Sequence, residues 1–180
     1  MTGDDMEPTA GVLSRQDIEA LLGATPPLLE GLIDVDEQLQ ANGIDITLDS
    51  VARFHGAGLL GLTGADRVLP DTHDIPFAED GSLSLAPGAY QVRFNETVNL
   101  PPWLMAYARP RSSLLRSGVA LHTAVWDAGY SGRGMSLMVV YNPAGFRVVR
   151  NARICQLVFH GLTTATSSTY AGAYQFEGAR

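Results

Sequence analysis

The residues best suited to chemistry lie in the second half of the chain, where Asp127 is the single acidic side chain between Thr97 and Phe176. Arginines surround it in the sequence: Arg109, Arg111, Arg116, Arg133, Arg147, Arg150 and Arg153. A lone carboxylate among planar cations is typical of a site that holds a polyanion and uses one base to activate water. The pattern therefore predicts phosphate chemistry, with Asp127 beside a cluster of arginines.

Composition limits the class of protein. With 180 residues, 46% of them hydrophobic, the chain suits a single domain with a real core. A net charge of -7 argues against nonspecific binding to nucleic acid, so the partner of the arginines is expected to be a small anion. All twelve basic residues are arginine, which excludes lysine chemistry, although genome base composition alone can produce the same bias.

The single cysteine and the apolar pattern indicate the compartment. Cys155 allows no intramolecular disulfide and no Cys-x-x-Cys zinc site. The start of the chain is acidic, and no apolar run approaches the roughly 20 residues that span a bilayer. We therefore expect a cytoplasmic protein that neither enters a membrane nor is secreted.

Local patterns predict one short helix followed by many strands. Ser14 is a helix N-cap with Asp17 three residues later, and the helix is expected to stop at Gly23 before a loop that runs to Asn42-Gly43. Short apolar or alternating segments follow, and they predict an all-β sandwich or barrel. The predicted strands include Ile44 to Leu48, Tyr90 to Val98, Ser136 to Tyr141 and Ile154 to Phe159.

We expect one domain over residues 1–180, with flexible ends. Residues 1–12 read as a polar tail. Residues 163–180 are rich in small polar residues but carry Tyr170, Tyr174 and Phe176, which is the pattern of a mobile arm that closes over a ligand.

Two segments could contact a nucleotide. Arg111-Ser112-Ser113-Leu114-Leu115-Arg116 reads as a short helix whose first turn offers donors to phosphate, although an ordinary capped helix with surface arginines has the same pattern. The segment from His122 to Gly132 reads as strand, turn and strand with Asp127 at the turn. Asp is also a common turn former, so a structural role for Asp127 remains an alternative.

Five ordered motifs resemble those of the dUTPase and dCTP deaminase superfamily, and most closely the archaeal type of dUTP diphosphatase. They lie at Gly43 to Leu48, Arg111 to Leu114, Asp127 to Gly132, Arg153 to Phe159 and Tyr170 to Gln175. The resemblance implies a distorted β-barrel of the β-clip type, a homotrimer with active sites shared between subunits, and hydrolysis of dUTP to dUMP and pyrophosphate with Mg²⁺.

The resemblance also implies roles for individual residues. Asp127 would orient and deprotonate the attacking water, and Tyr130 would pack on the deoxyribose. Asp45 could order metal-bound water or serve in packing, with Mg²⁺ held chiefly by the phosphates. The remaining substrate-binding positions are Arg111, Ser112, Ser113, Arg116 and Gln156 for phosphate, the hairpin segment His122, Thr123, Ala124 and Val125 for the base, and Tyr170, Tyr174 and Gln175 in the arm. A histidine on a strand, such as His122, often has only a structural role.

Three alternatives for the function are open at this point. The deaminase branch carries a glutamate on the strand after the Asp127 motif, and the matching position here falls at or beside Leu137, which favours the diphosphatase. A dCTP deaminase or a bifunctional enzyme would need another carboxylate, for which Glu177 is the candidate. A catalytically silent nucleotide-binding homologue is the third alternative.

Overall fold

The computed structural model describes residues 10–178, which are mostly β-structure. The helices are α1 (Arg15–Leu22), α2 (Val35–Gln38) and α3 (Ser112–Arg116). The strands are β1 (Gly11–Val12), β2 (Leu29–Glu30), β3 (Leu39–Gln40), β4 (Gly43–His55), β5 (Asp71–Asp74), β6 (Ser82–Leu85), β7 (Gly88–Phe94), β8 (Thr97–Asn99), β9 (Leu104–Pro110), β10 (Val119–His122), β11 (Val125–Trp126), β12 (Ser131–Gly132), β13 (Met135–Val140), β14 (Phe146–Val149) and β15 (Arg153–Gly161).

One antiparallel sheet forms most of the molecule, in the order β10-β13-β7-β4-β15-β9-β11. β4 joins its two halves, because its start pairs with β15 and its later part pairs with β7 and β5. A register shift between Leu48 and Ser50 lies at the changeover, and such irregularities bend a strand. The sheet therefore curls, and two small sheets, β12-β8-β2 and β14-β6, complete the molecule. This architecture confirms the all-β, barrel-like prediction.

The core lies inside the curled sheet because strand side chains alternate. In β9, Leu104, Ala106 and Ala108 are buried, whereas their neighbours are more exposed. β13 shows the same alternation, with Met138 and Val140 inside and Leu137 outside. The period of two places every second residue on the inner face of the sheet.

Helix α1 confirms the prediction made from its sequence. The Ser14 hydroxyl accepts from the Asp17 amide at 3.4 Å, and the Asp17 carboxylate accepts from the Ser14 amide at 2.8 Å. Ile18 and Leu21 face the core, and the helix ends at Gly23. Together these contacts form a capping box, which satisfies backbone donors at the helix start.

The stretch from Tyr90 to Val98 differs from its prediction as one strand, because β7 and β8 are separated by a bend at Asn95-Glu96. Glu96 is 1% exposed, and its carboxylate accepts from the Thr47 amide, the Thr47 hydroxyl and the Gln38 amide side chain. A buried carboxylate needs such donors, so this bend is fixed by tertiary contacts. Gln38 belongs to α2, a short helix inside the segment predicted as loop.

Two residues near the start of the described part form a short strand that pairs with β15. Gly11 and Val12, which fall in the predicted tail, pair with Gly161 and His160 at the end of β15. Residues 1–9 of that predicted tail lie outside the described residues. Within residues 10–178, no helix is long and apolar enough to cross a membrane.

Candidate active site

Within one chain, the arginines of the second half do not gather around Asp127, contrary to what their closeness in the sequence predicted. Four pair instead with carboxylates from the first half of the chain: Arg111 with Asp45, Arg133 with Asp49, Arg147 with Asp80 and Arg153 with Glu37. Arg109 and Arg150 lie over aromatic rings, and Arg116 is exposed. Neither of the two cavities that Asp127 borders has an arginine in its wall. The long-range pairing of strands brings the acidic and basic halves of the chain together.

The predicted phosphate-binding residues and Asp45 form one group at the end of β9, which we call the Arg111 cluster: Asp45, Arg111, Ser112, Ser113, Arg116 and Gln156. The Arg111 guanidinium lies 2.9 Å from the Asp45 carboxylate. Gln156 on β15 lies opposite Asp45 on β4 and opposite Arg109 on β9. Ser112 and Ser113 begin α3 and are exposed, as is Arg116 at its end. Serine hydroxyls and guanidinium groups are therefore presented on one surface.

Asp45 is held inside this cluster rather than at its surface. Its side chain is 3% exposed, and Arg153 approaches the same oxygen as Arg111 at 3.7 Å. Burial raises the pKa of Asp45, while the charges of Arg111 and Arg153 lower it. Two guanidinium groups around one buried carboxylate favour a role in orienting Arg111 over one in ordering metal-bound water.

Several of the predicted nucleoside-binding residues line a different feature, the Tyr130 cavity, of about 260 Å³. Its wall is formed by Leu69, Gln91, Ala124, Val125, Trp126, Asp127, Tyr130, Gly134, Met135, Tyr170, Tyr174 and Glu177. Asp127 is exposed, whereas Tyr130 is only 6% exposed and packs edge-on against Tyr170, with ring centroids 5.6 Å apart. Burial raises the pKa of the Tyr130 phenol, with smaller contributions from Glu177 and Tyr170. The phenol is therefore neutral at physiological pH.

A tight turn presents Asp127 and Tyr130 together. The Tyr130 amide donates to the Asp127 carbonyl at 3.0 Å, and the Gly129 amide donates to Leu100 at 3.1 Å. Gly129 has a φ of +84°, which glycine adopts without strain, and an added Cβ would lie 2.5 Å from the Cβ of Thr169. Glycine at this position thus allows both the turn and the close approach of the C-terminal segment.

The C-terminal arm, residues 163–178 as far as the structure describes it, is docked on this turn. The Gln175 side chain donates to the Gly129 carbonyl and accepts from the Ser131 amide. The Tyr170 amide donates to Ala128, the Phe176 amide donates to Ser131, and the Arg133 amide donates to Glu177. Tyr170 and Tyr174 line the Tyr130 cavity, whereas Gln175 clamps the turn from outside it. Mobility of the arm without ligand stays a prediction.

The segment from His122 to Val125 is not a hairpin, which corrects the prediction. His122 ends β10, which pairs with β13, whereas Val125 begins β11, which pairs with β9. The segment therefore crosses between the two ends of the main sheet. Ala124 and Val125 line the Tyr130 cavity, but His122 and Thr123 do not, and the Thr123 hydroxyl donates to the Ala108 carbonyl.

The Arg111 cluster and the Tyr130 cavity lie far apart in one chain. In the pairing of β9 with β11, Trp126 lies opposite Ala106, so Asp127 lies level with Met105 near the start of β9. Arg111 follows the other end of β9. Six residues of extended strand span about 20 Å. A triphosphate whose first phosphorus lies at Asp127 is too short to reach Arg111 of the same chain.

Several residues of the cavity wall could not be identified from the sequence. Leu69, Gln91, Trp126, Gly134 and Met135 carry no catalytic signature, and the pairing of β7 with β13 brings Gln91 and Met135 near the cavity. One feature of the sequence pointed to Glu177, which is the first acidic residue after Asp127. Burial raises the pKa of Glu177, and the charge of Arg93 lowers it.

Residues 10–178 include no group of three or more His, Cys, Asp or Glu side chains that could hold a metal ion. The Arg111 cluster itself contains one carboxylate, and that carboxylate is paired with arginine. The donor set of these residues thus fits an anion rather than a cation held directly by protein.

Comparison with known proteins agrees with the fold and motifs. A protein from Methanosarcina mazei described as a probable deoxyuridine 5'-triphosphate nucleotidohydrolase is 48% identical over 166 residues, which cover 92% of this chain and 97% of that protein. A protein of the same description from Archaeoglobus fulgidus is 42% identical, covering 92% and 96%. The 2'-deoxycytidine 5'-triphosphate deaminase from Agrobacterium tumefaciens superimposes with a TM-score of 0.67 at 26% identity.

That superposition covers 85% of this chain and 48% of the deaminase chain, so this chain spans about half the length of the deaminase. Residues 12–162 also match the family model described as dCTP deaminase-like. This match includes α1, strands β2 to β14, β15 as far as Gly161, the Arg111 cluster and the Asp127 turn, but it ends before the arm residues Tyr170, Tyr174 and Glu177 of the Tyr130 cavity. The chain belongs to the dCTP deaminase-like family.

Proposed function

We propose that this protein hydrolyses dUTP to dUMP and pyrophosphate, in active sites that combine the Tyr130 cavity of one chain with the Arg111 cluster of another. The observation that carries the proposal is the position of Asp127, an exposed carboxylate at the wall of a cavity that also contains the buried ring of Tyr130. The names of the archaeal relatives support dUTP as the substrate.

In this proposal Asp127 is the general base. It accepts a proton from a water molecule whose oxygen forms a bond to the α-phosphorus of dUTP. The bond between the α-phosphorus and the oxygen that bridges to the β-phosphorus breaks, and pyrophosphate leaves with that oxygen. A base held within hydrogen-bond reach of the attacking water typically contributes about 10²- to 10⁴-fold to the rate.

The Tyr130 cavity would hold the nucleoside. The ring of Tyr130 is buried against Tyr170, so it offers a fixed apolar surface to the deoxyribose and leaves no room for a 2'-hydroxyl. β11 is the terminal strand of the main sheet, so one edge of its backbone is not paired within that sheet. Backbone groups at Ala124 and Val125 can therefore form hydrogen bonds with uracil.

The Arg111 cluster of a neighbouring chain would hold the β- and γ-phosphates. Arg111, Ser112, Ser113, Gln156 and Arg116 supply donors for phosphate oxygens. Since about 20 Å of β9 separates this cluster from Asp127 in one chain, a complete site requires at least two copies. A cyclic homotrimer satisfies this requirement, because each contact between neighbours is repeated around the ring.

Mg²⁺ would be bound through the phosphate oxygens of the nucleotide, and when bound it neutralises charge on the phosphates. Arg111, oriented by Asp45, would contact the same triphosphate from the protein side. Asp45 is 3% exposed and paired with arginine, so in this proposal it positions Arg111 and does not contact the ion.

Deamination of dCTP is the second candidate, and the position of Glu177 favours it. Leu137, at the position that carries glutamate in the deaminase branch, does not line the Tyr130 cavity, but Glu177 does. Water would add to C4 of cytosine, and ammonia would leave. Glu177 would transfer the proton of the water to the departing amine. Burial raises the pKa of this side chain, so its carboxylate, once it has taken the proton of the water, holds that proton more readily until it passes to the amine.

The products decide between these activities. The purified protein is incubated with dUTP and separately with dCTP, and pyrophosphate and ammonia are measured in each reaction. Pyrophosphate from dUTP without ammonia from dCTP is the expected result. Ammonia from dCTP would establish the deaminase or a bifunctional enzyme, and Glu177→Gln then tests its proton transfer. Binding of dUTP without either product would indicate a catalytically silent homologue.

A further inference from the structure

The segment between β4 and β5, residues 56–70, forms a hairpin that extends from the main sheet. Leu59 and Val68 exchange backbone hydrogen bonds of 2.8 and 2.9 Å. At the tip, the Thr63 hydroxyl donates to the Asp66 carboxylate at 2.8 Å. These local contacts give the hairpin a defined shape even though most of its side chains are exposed.

The returning limb of this hairpin reaches the candidate site. Leu69 is part of the wall of the Tyr130 cavity, together with residues of the C-terminal arm. The guanidinium carbon of Arg67 lies 5.1 Å from the centroid of the Tyr174 ring. This separation is within the range of a cation–π interaction. Hairpin and arm, which are distant in sequence, therefore meet at Tyr174.

Arg67 has no competing carboxylate within the described part of the chain, where the ion pairs involve other arginines. Tyr174 is half-buried and packs against the core together with Tyr170. The arm is also held at Tyr170, Gln175 and Phe176 through the backbone of the Asp127 turn. The contact with Arg67 thus fastens the arm to a second element, the hairpin, besides that turn.

We propose that Arg67 is a positioning residue that fastens Tyr174, so that hairpin and arm together enclose a nucleotide in the Tyr130 cavity. The inference rests on the proposed function for the identity of the nucleotide. Leu69 supplies an apolar wall for the nucleoside, and Arg67 places a positive charge beside a cavity whose ligand is an anion.

Hydrogen exchange of the arm tests the fastening without any nucleotide. In Arg67→Leu, amides of residues 167–178 should exchange about 2- to 10-fold faster than in the parent protein, because the cation–π contact is lost. Arg67→Lys should lie between the two. Arg53→Leu, which removes the same charge from an exposed position on β4, is the matched control and should leave arm exchange unchanged.

A double-variant comparison separates this contact from a general loss of structure. Tyr174→Leu should speed arm exchange as Arg67→Leu does, and the two changes together should add little to either alone. With dUTP, Arg67→Leu should raise KM by a similar factor and leave kcat unchanged. Arm exchange at the parent rate in Arg67→Leu, or the same increase in Arg53→Leu, would overturn the inference.

The two proposals fail in distinguishable ways. A parent protein that does not hydrolyse dUTP contradicts the proposed function, but faster arm exchange in Arg67→Leu still supports the fastening. A parent protein that hydrolyses dUTP, with an arm that is insensitive to Arg67→Leu, contradicts only the fastening.

Discussion

The Arg111 cluster and the Tyr130 cavity are built in different ways. The cluster sits where β4, β15 and β9 pair, and a buried ion pair of 2.9 Å between Asp45 and Arg111 fixes its central cation. The cavity is formed by a glycine-dependent turn, a C-terminal arm and a hairpin, and these meet through a few hydrogen bonds and ring contacts.

This difference indicates that the Arg111 cluster and the Tyr130 cavity have different roles. A site anchored on paired strands is already in place before the ligand arrives, which suits the binding of a charged triphosphate. A cavity closed by an arm and a hairpin can open to admit a nucleoside and then exclude water during hydrolysis. Loss of the Asp127 base or of the whole arm should therefore affect turnover, whereas a weaker fastening of the arm at Arg67 and variants of the cluster should affect binding.

The largest effect is expected from Asp127→Asn. The amide keeps the shape of the side chain but cannot accept a proton from water, so kcat for dUTP should fall by about 10²- to 10⁴-fold. Binding of a non-hydrolysable dUTP analogue, measured by calorimetry, should stay close to that of the parent protein. A kcat near the parent value would remove Asp127 from its proposed role.

Truncation after Thr166 should have the next largest effect. It removes Tyr170, Tyr174 and Gln175 but leaves the sheets intact, so the protein should fold while kcat/KM falls by about 10- to 100-fold through loss of positioning. Circular dichroism checks the fold, and pyrophosphate release checks activity. Full activity of the truncated chain would show that the arm is a terminus without function.

On the cluster side, Arg111→Ala and Arg116→Ala should each raise KM for dUTP by about tenfold, since a charge-assisted contact to phosphate is lost. kcat should change little. Arg111→Ala also leaves Asp45 with only the more distant Arg153, so stability should fall. Adding Asp45→Asn should restore stability without restoring KM, and recovery of both would mean that Arg111 serves only the fold.

The smallest effect is a pH dependence of arm docking. Burial raises the pKa of Glu177 when the arm is docked, with Arg93 opposing this and Asp127 and Tyr130 in the same cavity wall. Because the pKa is higher when docked than when free, docking is favoured at low pH and weakens as pH rises through the docked pKa. Hydrogen exchange of residues 167–178 should show this trend, and Glu177→Gln should abolish it.

The sequence predicted what depends on near neighbours in the chain. The Ser14 and Asp17 cap, helix α3 and the alternation of β13 were correct because capping and period-two patterns are local. Contacts between residues far apart in the sequence were not predicted. The burial of Glu96 under Thr47 and Gln38 depends on strand pairing that no local pattern encodes.

The candidate site shows the same limit. The motif around Asp127 and Tyr130 identified one side of the cavity, but the contribution of Leu69 depends on where the hairpin folds. The expected arginines do not lie beside Asp127 in one chain, because Asp127 lies level with the start of β9 whereas Arg111 follows its end. The prediction assumed that residues close together in the sequence are also close together in space.

Mixed oligomers test most directly whether one active site is built from two chains. The Asp127→Asn chain and an Arg111→Ala/Arg116→Ala chain are co-expressed with different tags, and oligomers that carry both tags are purified. Each trimeric ring that carries both kinds of chain has one site in three that joins an intact Arg111 cluster to an intact Tyr130 cavity, so hydrolysis at low dUTP should recover to about a third of the parent rate. Mixed oligomers no more active than the average of the two separate variants would contradict the shared site.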